Sequence, residues 1–307
     1  MTTLKIGTRR SQLALWQAGY VRNALRHAHA GIDVELVGIT TEGDKTLDVP
    51  LSEKGGKGLF LKELEQALLN GRVDIAVHSM KDVTVSLPDG LHIPVICERG
   101  DPHDAFVSSR YGELRELPAG AVVGTCSLRR QALLRYRFPE LNVVNLRGNV
   151  NTRLQRLDDG DFDAIILAAA GLQRLEMTNR IRQSIPTGIM LPAVGQGAVG
   201  IECREDDINT GRLLQPLDHA LSHARVAAER AVNAHLGGGC HMPVAAFATI
   251  DDEQLQVRGM VGWPDGSEVL FAQVQGRLQQ AERIGINLAD DLLVQGAAAI
   301  LQDTYGD

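Results

Sequence analysis

The residues of the 307-residue sequence with the most chemical potential are a cysteine, a set of arginines and one aspartate. Cys240 ends the run Leu236-Gly237-Gly238-Gly239-Cys240, with Pro243 close behind. Glycines accept backbone angles closed to other residues, so this run can present a sulfur on a bare, tightly bent loop. The same pattern also suits a free cysteine packed as a small apolar group after a helix C-cap. The arginines stand where they are electrostatically unwelcome. Arg9-Arg10, Lys57, Arg129-Arg130, Arg147 and Arg153 lie at or near the starts of expected helices, whose N-termini already carry partial positive charge. Adding cations there makes sense if an anion sits among them, and the planar guanidinium fork suits carboxylates. Phosphate is not distinguished from carboxylate by this argument. Asp82 follows His78-Ser79-Met80-Lys81 at the carboxyl end of an expected strand. There an ionised acid can stabilise a developing cation, or simply terminate a turn.

The elements that must position these residues follow from periodicity. Strands are expected at Lys5–Thr8, Asp33–Thr40, Asp74–Met80 and Leu91–Cys97, with helices over Ser11–His27 and around Leu59–Leu68. Glu98-Arg99-Gly100-Asp101-Pro102 is a charged joint, after which the pattern restarts. Strands then fall at Ala105–Ser108, Ala121–Thr125, Asn142–Leu146 and Asp163–Ala169, with helices at Ser127–Tyr136 and Asn149–Leu157. Such alternation implies two α/β domains with largely parallel sheets, in which strand-to-helix junctions gather on the ligand edge. Pro192–Arg204 regains strand character and returns to the first domain, which implies a hinge. A helix at Ser222–Leu236, strands at Val244–Ile250, Leu255–Trp263 and Val269–Gln275, and a last helix at Asn287–Gln302 make a small α+β domain. The expected division is 1–97 plus 196–216, 98–195, and 217–307.

Composition narrows the function. The net charge is −7 and aromatics are only 4%, which disfavours nucleic acid as a partner. The four cysteines, Cys97, Cys126, Cys203 and Cys240, contain no C-x-x-C pair, so neither a disulfide framework nor a usual zinc site is expected, and no metal is assigned. A reducing, cytoplasmic setting without signal peptide or membrane span fits best. Gly195-Gln196-Gly197-Ala198-Val199-Gly200 matches a dinucleotide fingerprint but runs into strand-like Ile201-Glu202-Cys203, so that reading fails. Gly55-Gly56-Lys57-Gly58 lacks the hydroxyl residue of a P-loop. Cys240-His241 invites a thiol-hydrolase reading, and the two α/β domains invite an anion-binding protein; the latter does not need a cysteine on a glycine loop in an extra domain.

An ordered set of motifs resolves these alternatives. Gly7-Thr8-Arg9-x-Ser11, Gly56-Lys57-Gly58-Leu59-Phe60, Val77-His78-Ser79-Met80-Lys81-Asp82, Gly124-Thr125-x-Ser127-Leu128-Arg129-Arg130, Leu146-Arg147-Gly148-Asn149, Pro192-Ala193-Val194-Gly195-Gln196-Gly197 and Leu236-x-Gly238-Gly239-Cys240 resemble the porphobilinogen deaminase (hydroxymethylbilane synthase) family across nearly the whole chain. The resemblance implies two domains like type II periplasmic binding proteins plus the small third one. It implies a dipyrromethane cofactor on a thioether to Cys240, and a transferase that joins four porphobilinogen molecules head to tail with loss of ammonia. Asp82 is the implied catalytic residue. Ser79, Lys81, Asp82, Thr125, Ser127, Arg129, Arg130, Arg147 and Gly148 are implied for the cofactor. Arg9, Ser11, Lys57, Phe60, Arg147, Arg153, Arg174 and Gln196 are implied for the substrate, whose acetate and propionate groups need cationic partners. The family further implies a cytoplasmic monomer whose product passes to uroporphyrinogen III synthase. Cys126, Glu42, Glu53 and Thr84 depart from residues common in the family, and the departures fall on local loop contacts.

Overall fold

The structure is a computed structural model that describes residues 3–45, 61–239 and 242–306. The residues divide into two compact units, Met1–Gly100 with Ala198–His223, and Asp101–Gly197 with Ala224–Asp307. In chain order the elements are β1 (Leu4–Arg9), α1 (Gln12–Ala28), β2 (Val34–Ile39), α2 (Glu42–Lys45), α3 (Lys62–Leu69), β3 (Ile75–Ser79) and β4 (Leu91–Ile96). There follow β5 (Asp104–Val107), β6 (Val122–Gly124), α4 (Leu128–Arg137), β7 (Asn142–Val144), α5 (Val150–Asp158), β8 (Ala164–Ala168), α6 (Ala169–Arg174), β9 (Gln183–Ile185), β10 (Val199–Arg204) and α7 (Ile208–Leu214). The chain ends with α8 (Ala220–His235), β11 (Val244–Asp251), β12 (Gln254–Gly262), β13 (Val269–Arg277), α9 (Ala281–Val294) and α10 (Ala297–Gly306).

The first unit holds a five-stranded sheet of order β2-β1-β3-β10-β4, and the second one of order β7-β6-β8-β5-β9. Each sheet has three neighbouring parallel strands beside an antiparallel one: β10 in the first, β5 in the second. The expectation of largely parallel sheets is therefore corrected to mixed sheets. The antiparallel strand is in each case the one on which the chain enters the unit from the other. The run Pro192–Ala198 is not strand, and only Val199–Arg204 pairs, with a register shift between Ile201 and Cys203 against β4.

In the second unit the antiparallel sheet β11-β12-β13 is a wall between two cores. One face puts Ala245, Phe247, Met260 and Val269 against Phe106, Leu133, Met190 and Leu191. The other puts Val244, Ala246, Leu255, Val257 and Val261 against Ile284, Leu288 and Leu292 of α9. Alternation along the strands produces this split, since successive side chains point to opposite faces. The single last helix expected over Asn287–Gln302 is two helices bent by 88°. Gly296, with φ of 106°, takes a conformation that other residues resist and ends α9 there. No single helix among the described residues is long and apolar enough to cross a membrane.

Candidate active site

In the first unit, Asp82 is presented by a short 3-10 turn, Met80–Asp82, at the end of β3. The turn is pinned on both sides. The Met80 N–H donates to the Ala198 carbonyl at 3.0 Å, the Val83 N–H donates to the Met80 carbonyl at 3.3 Å, and both side chains are buried. Asp82 itself is exposed, and among the described residues its carboxylate has no hydrogen-bond or ion-pair partner. Ser79 Oγ accepts from Gln17 Nε2 at 2.7 Å, which fixes its hydroxyl near the same strand end. Lys81 is half-buried beside them. Behind the strand, buried His78 and Glu202 pair at 2.8 Å. Burial, with Glu202 nearby, raises the pKa of Glu65 on α3 above the usual carboxylate range, while His78 acts in the opposite direction.

Arg9 ends β1, and Ser11 caps α1, its side chain accepting from the Ala14 N–H at 3.3 Å. The same device recurs in the second unit. Ser127 caps α4 by accepting from the Arg130 N–H, and Asn149 caps α5 by accepting from the Thr152 N–H. None of these three helices has an acidic residue in its first turn, so their positive ends are not neutralised locally. Lys57, Phe60 and Cys240 lie outside the described residues.

The second unit separates arginines that look alike in sequence. Arg129 and Arg130, in the first turn of α4, are buried with side chains only 3% and 6% exposed, and both grip fully buried Asp104. Arg129 Nη1 donates to Asp104 Oδ2 at 2.7 Å and to the Leu191 carbonyl at 2.6 Å. Arg130 donates through Nε and Nη2 to Asp104 Oδ1 at 3.0 and 2.6 Å, and through Nη1 to the Ile166 carbonyl at 2.8 Å. Burial works against the Asp104 charge, but the two guanidiniums and their hydrogen bonds prevail and hold its carboxyl well below the usual range. Gln196, also buried, donates to Asp104 at 3.1 Å and to the Pro102 carbonyl at 2.7 Å. Two cations on one anion leave a buried positive excess, and Arg129 Nε has no acceptor among the described residues.

Arg147 and Arg153 are half-buried instead. Arg153 Nε donates to the Gly148 carbonyl at 2.8 Å, and Arg153 Nη2 reaches Cys126 Sγ at 3.7 Å. Arg174 donates to the Gly197 carbonyl at 2.7 Å. Thr125 is buried, its Oγ1 accepting from the Ser127 N–H at 3.3 Å. Glu229, fully buried on α8, accepts from the Gly195 N–H at 2.7 Å and the Ala248 N–H at 2.9 Å, tying the Gly195–Gly197 loop to β11. Asp104 and Glu229 escape a reading by motif. The available signal was an acid heading an apolar strand in a chain with successive arginines that lack a nearby counter-charge.

The run before Cys240 has its own logic. Gly237, with φ of 65°, ends α8, where a left-handed residue is needed. A side chain on Gly238 would meet Asn233 Oδ1, which would have to turn aside to admit it.

Residues 4–212 match the family model "Porphobilinogen deaminase, dipyromethane cofactor binding domain", and residues 223–294 match "Porphobilinogen deaminase, C-terminal domain". The chain belongs to the porphobilinogen deaminase family. It is accordingly an enzyme, a transferase of the hydroxymethylbilane synthase type, with a dipyrromethane cofactor. The chain also shows partial likeness to several solved structures. The methionine binding protein MetQ is 16% identical over 72% of this chain and 92% of its own, with a TM-score of 0.44. A periplasmic substrate-binding protein of an ABC transporter from Coxiella burnetii is 15% identical over the same shares, also at 0.44. The periplasmic VFT2 domain of BvgS from Bordetella pertussis is 16% identical over 69% of this chain and 85% of its own, at 0.40.

The described residues fit the porphobilinogen deaminase cofactor, whose rings bear carboxylates and N–H groups. The second unit holds the buried Arg129 and Arg130 and the half-buried Arg147 and Arg153, cations of the kind that carboxylates need. The first offers an uncommitted carboxylate, Asp82, to pyrrole N–H groups. Among the described residues no group of His, Cys, Asp or Glu is placed to hold a metal ion.

Proposed function

We propose that this enzyme joins four porphobilinogen molecules head to tail on a dipyrromethane held by a thioether to Cys240, releases ammonia at each addition, and lets water cleave the finished tetrapyrrole from the dipyrromethane as linear hydroxymethylbilane. The observation that carries the reading is Asp82: an exposed carboxylate with no partner among the described residues, on a turn locked by buried neighbours. Loss of ammonia from the aminomethyl pyrrole leaves an electron-poor ring. Asp82 accepts its N–H and stabilises the positive charge, an interaction stronger in the transition state than before it. It also takes part in proton transfer. When bound, the dipyrromethane supplies a free α-carbon as the nucleophile.

Around this carboxylate we assign Ser79, Lys81, Thr125, Ser127, Arg129, Arg130, Arg147 and Gly148 to the cofactor, and Arg9, Ser11, Lys57, Phe60, Arg147, Arg153, Arg174 and Gln196 to the substrate. The burial of Arg129 and Arg130 refines their share. Most of their donors go to Asp104 and backbone carbonyls, so their contribution is chiefly the positive potential at the start of α4. The domain plan remains 1–97 with 196–216, 98–195, and 217–307. The reading includes a cytoplasmic monomer and delivery of the product to uroporphyrinogen III synthase.

The test is the intact mass of the native protein. An adduct of two pyrrole units, lost in Cys240→Ser, with a pyrrole colour reaction in acid, is the expected result. Active protein of unmodified mass would overturn the reading. Attachment at Cys97 or Cys203 is disfavoured, since both are buried and burial pushes the Cys203 thiol up to about 11, and the loss of the adduct in Cys240→Ser separates Cys240 from the half-buried Cys126.

A further inference from the structure

The second unit contains a cavity of about 290 Å³ that meets the Arg129–Asp104 cluster only at Leu191, whose carbonyl accepts from Arg129. Its walls are the C-terminal end of α4, the loop following β9, and the face of β12 and β13. Two guanidiniums line it, Arg137 and Arg258, and no acidic residue does. Arg258 is half-buried. Its Nη2 donates to Thr187 Oγ1 at 2.7 Å, and its guanidinium stands 5.8 Å from the Phe247 ring centre. The Arg137 guanidinium stands 5.8 Å from the centre of the Phe271 ring. Neither arginine has a carboxylate partner among the described residues.

Two cations in one apolar-walled cavity are an unbalanced arrangement. A guanidinium taken partly out of water is costly unless an anion answers it, and burial does lower the pKa of Arg258. Phe271, with Leu133 and Ile189, gives the cavity an apolar wall. The volume sits at the small end of ligand sites, roughly 300–1,000 Å³, and takes one substituted ring, not a chain of them.

We propose that this cavity binds a single-ring aromatic or heteroaromatic carboxylate, the carboxylate on Arg258 and Arg137 and the ring against Phe271 and Ile189. The experiment is a titration of protein labelled with ¹³C at the isoleucine δ1 methyls, with the Ile189 signal assigned through Ile189→Val. Benzoate should move the Ile189 signal saturably, and benzyl alcohol, the same ring without the charge, should not. Arg258→Gln and Arg137→Gln should each weaken benzoate about tenfold, the loss expected for one charge-assisted hydrogen bond. Arg277→Gln, an exposed arginine at the end of β13, should leave the affinity as it was. Absence of a saturable shift, an equal shift with benzyl alcohol, or unchanged affinity in the arginine variants would each overturn the proposal. Arg137 is exposed, so its variant decides the matter even if Arg258→Gln fails to fold.

Discussion

Asp82 and Asp104 are both aspartates set among basic residues at the working ends of their sheets, and their surroundings are opposite. Asp82 is exposed, on a turn whose neighbours are buried, with no partner of its own among the described residues. Asp104 is wholly buried and gripped by two arginines and a glutamine. The difference shows how the same side chain is given to chemistry or to architecture. A carboxylate that does chemistry keeps its lone pairs uncommitted while the backbone beneath it is fixed. A carboxylate that organises a cationic site spends its lone pairs and, in exchange, allows two guanidiniums to be buried side by side.

The sharpest way to break the comparison is to exchange the consequences. Asp104→Ala leaves two buried guanidiniums without an anion and should cost about 3–5 kcal/mol in urea unfolding. Asp82→Ala should stay within about 0.5 kcal/mol of the parent. Equal stabilities of the two variants would show that the buried cluster holds nothing together. The pH dependence follows with a definite sign. The Asp104 carboxyl is depressed in the folded state, so its contribution is fully present above the unfolded value near about 4 and is lost as pH falls below it. The acid limb of the stability curve should therefore be flatter in Asp104→Asn than in the parent.

Turnover should reverse the order. Asp82→Ala should lower kcat by at least about 10²–10³, the size seen when one electrostatic stabiliser of a transition state is removed. Its unfolding midpoint should not move. A kcat within a few fold of the parent would take Asp82 out of the mechanism and leave the first unit without a recognised reacting group.

Sequence legibility tracks how local each feature is. The starts of α1, α4 and α5 were readable because Ser11, Ser127 and Asn149 announce caps within three residues of the amides they bind. The three strands of the third domain were readable from alternation and their turns. The mixed pairing was not, because β5 and β10 are short apolar runs whose direction depends on where the chain came from. The split at Gly296 was hidden by an apolar pattern that continues through it. Asp104 was missed because its partners lie 25 and 26 residues away, across a fold that periodicity does not reveal. The junction arginines stand out in the sequence, but burial alone divides Arg129 and Arg130 from Arg147 and Arg153, and burial is a tertiary property.

The finest test concerns the platform under Asp82. Gly200 lies opposite His78 in β10, and a side chain there would overlap the Met80 sulfur and approach Ile93 Cγ2 at 3.3 Å. Met80 is buried and its backbone is bonded to Ala198, so it has little room to retreat except by shifting the turn that carries Asp82. Gly200→Ala should cost about 1–3 kcal/mol through overpacking and reduce kcat by less than the loss of Asp82 itself. Two further variants separate positioning from general damage. Met80→Val in the Gly200→Ala background should return part of kcat by making room. Gly200→Ala added to Asp82→Ala should lower kcat no further, because the carboxylate it would misplace is already gone. If Gly200→Ala lowers stability yet leaves kcat intact, the buried pins hold the strand end but do not aim the carboxylate, and Asp82 owes its position to residues beyond this turn.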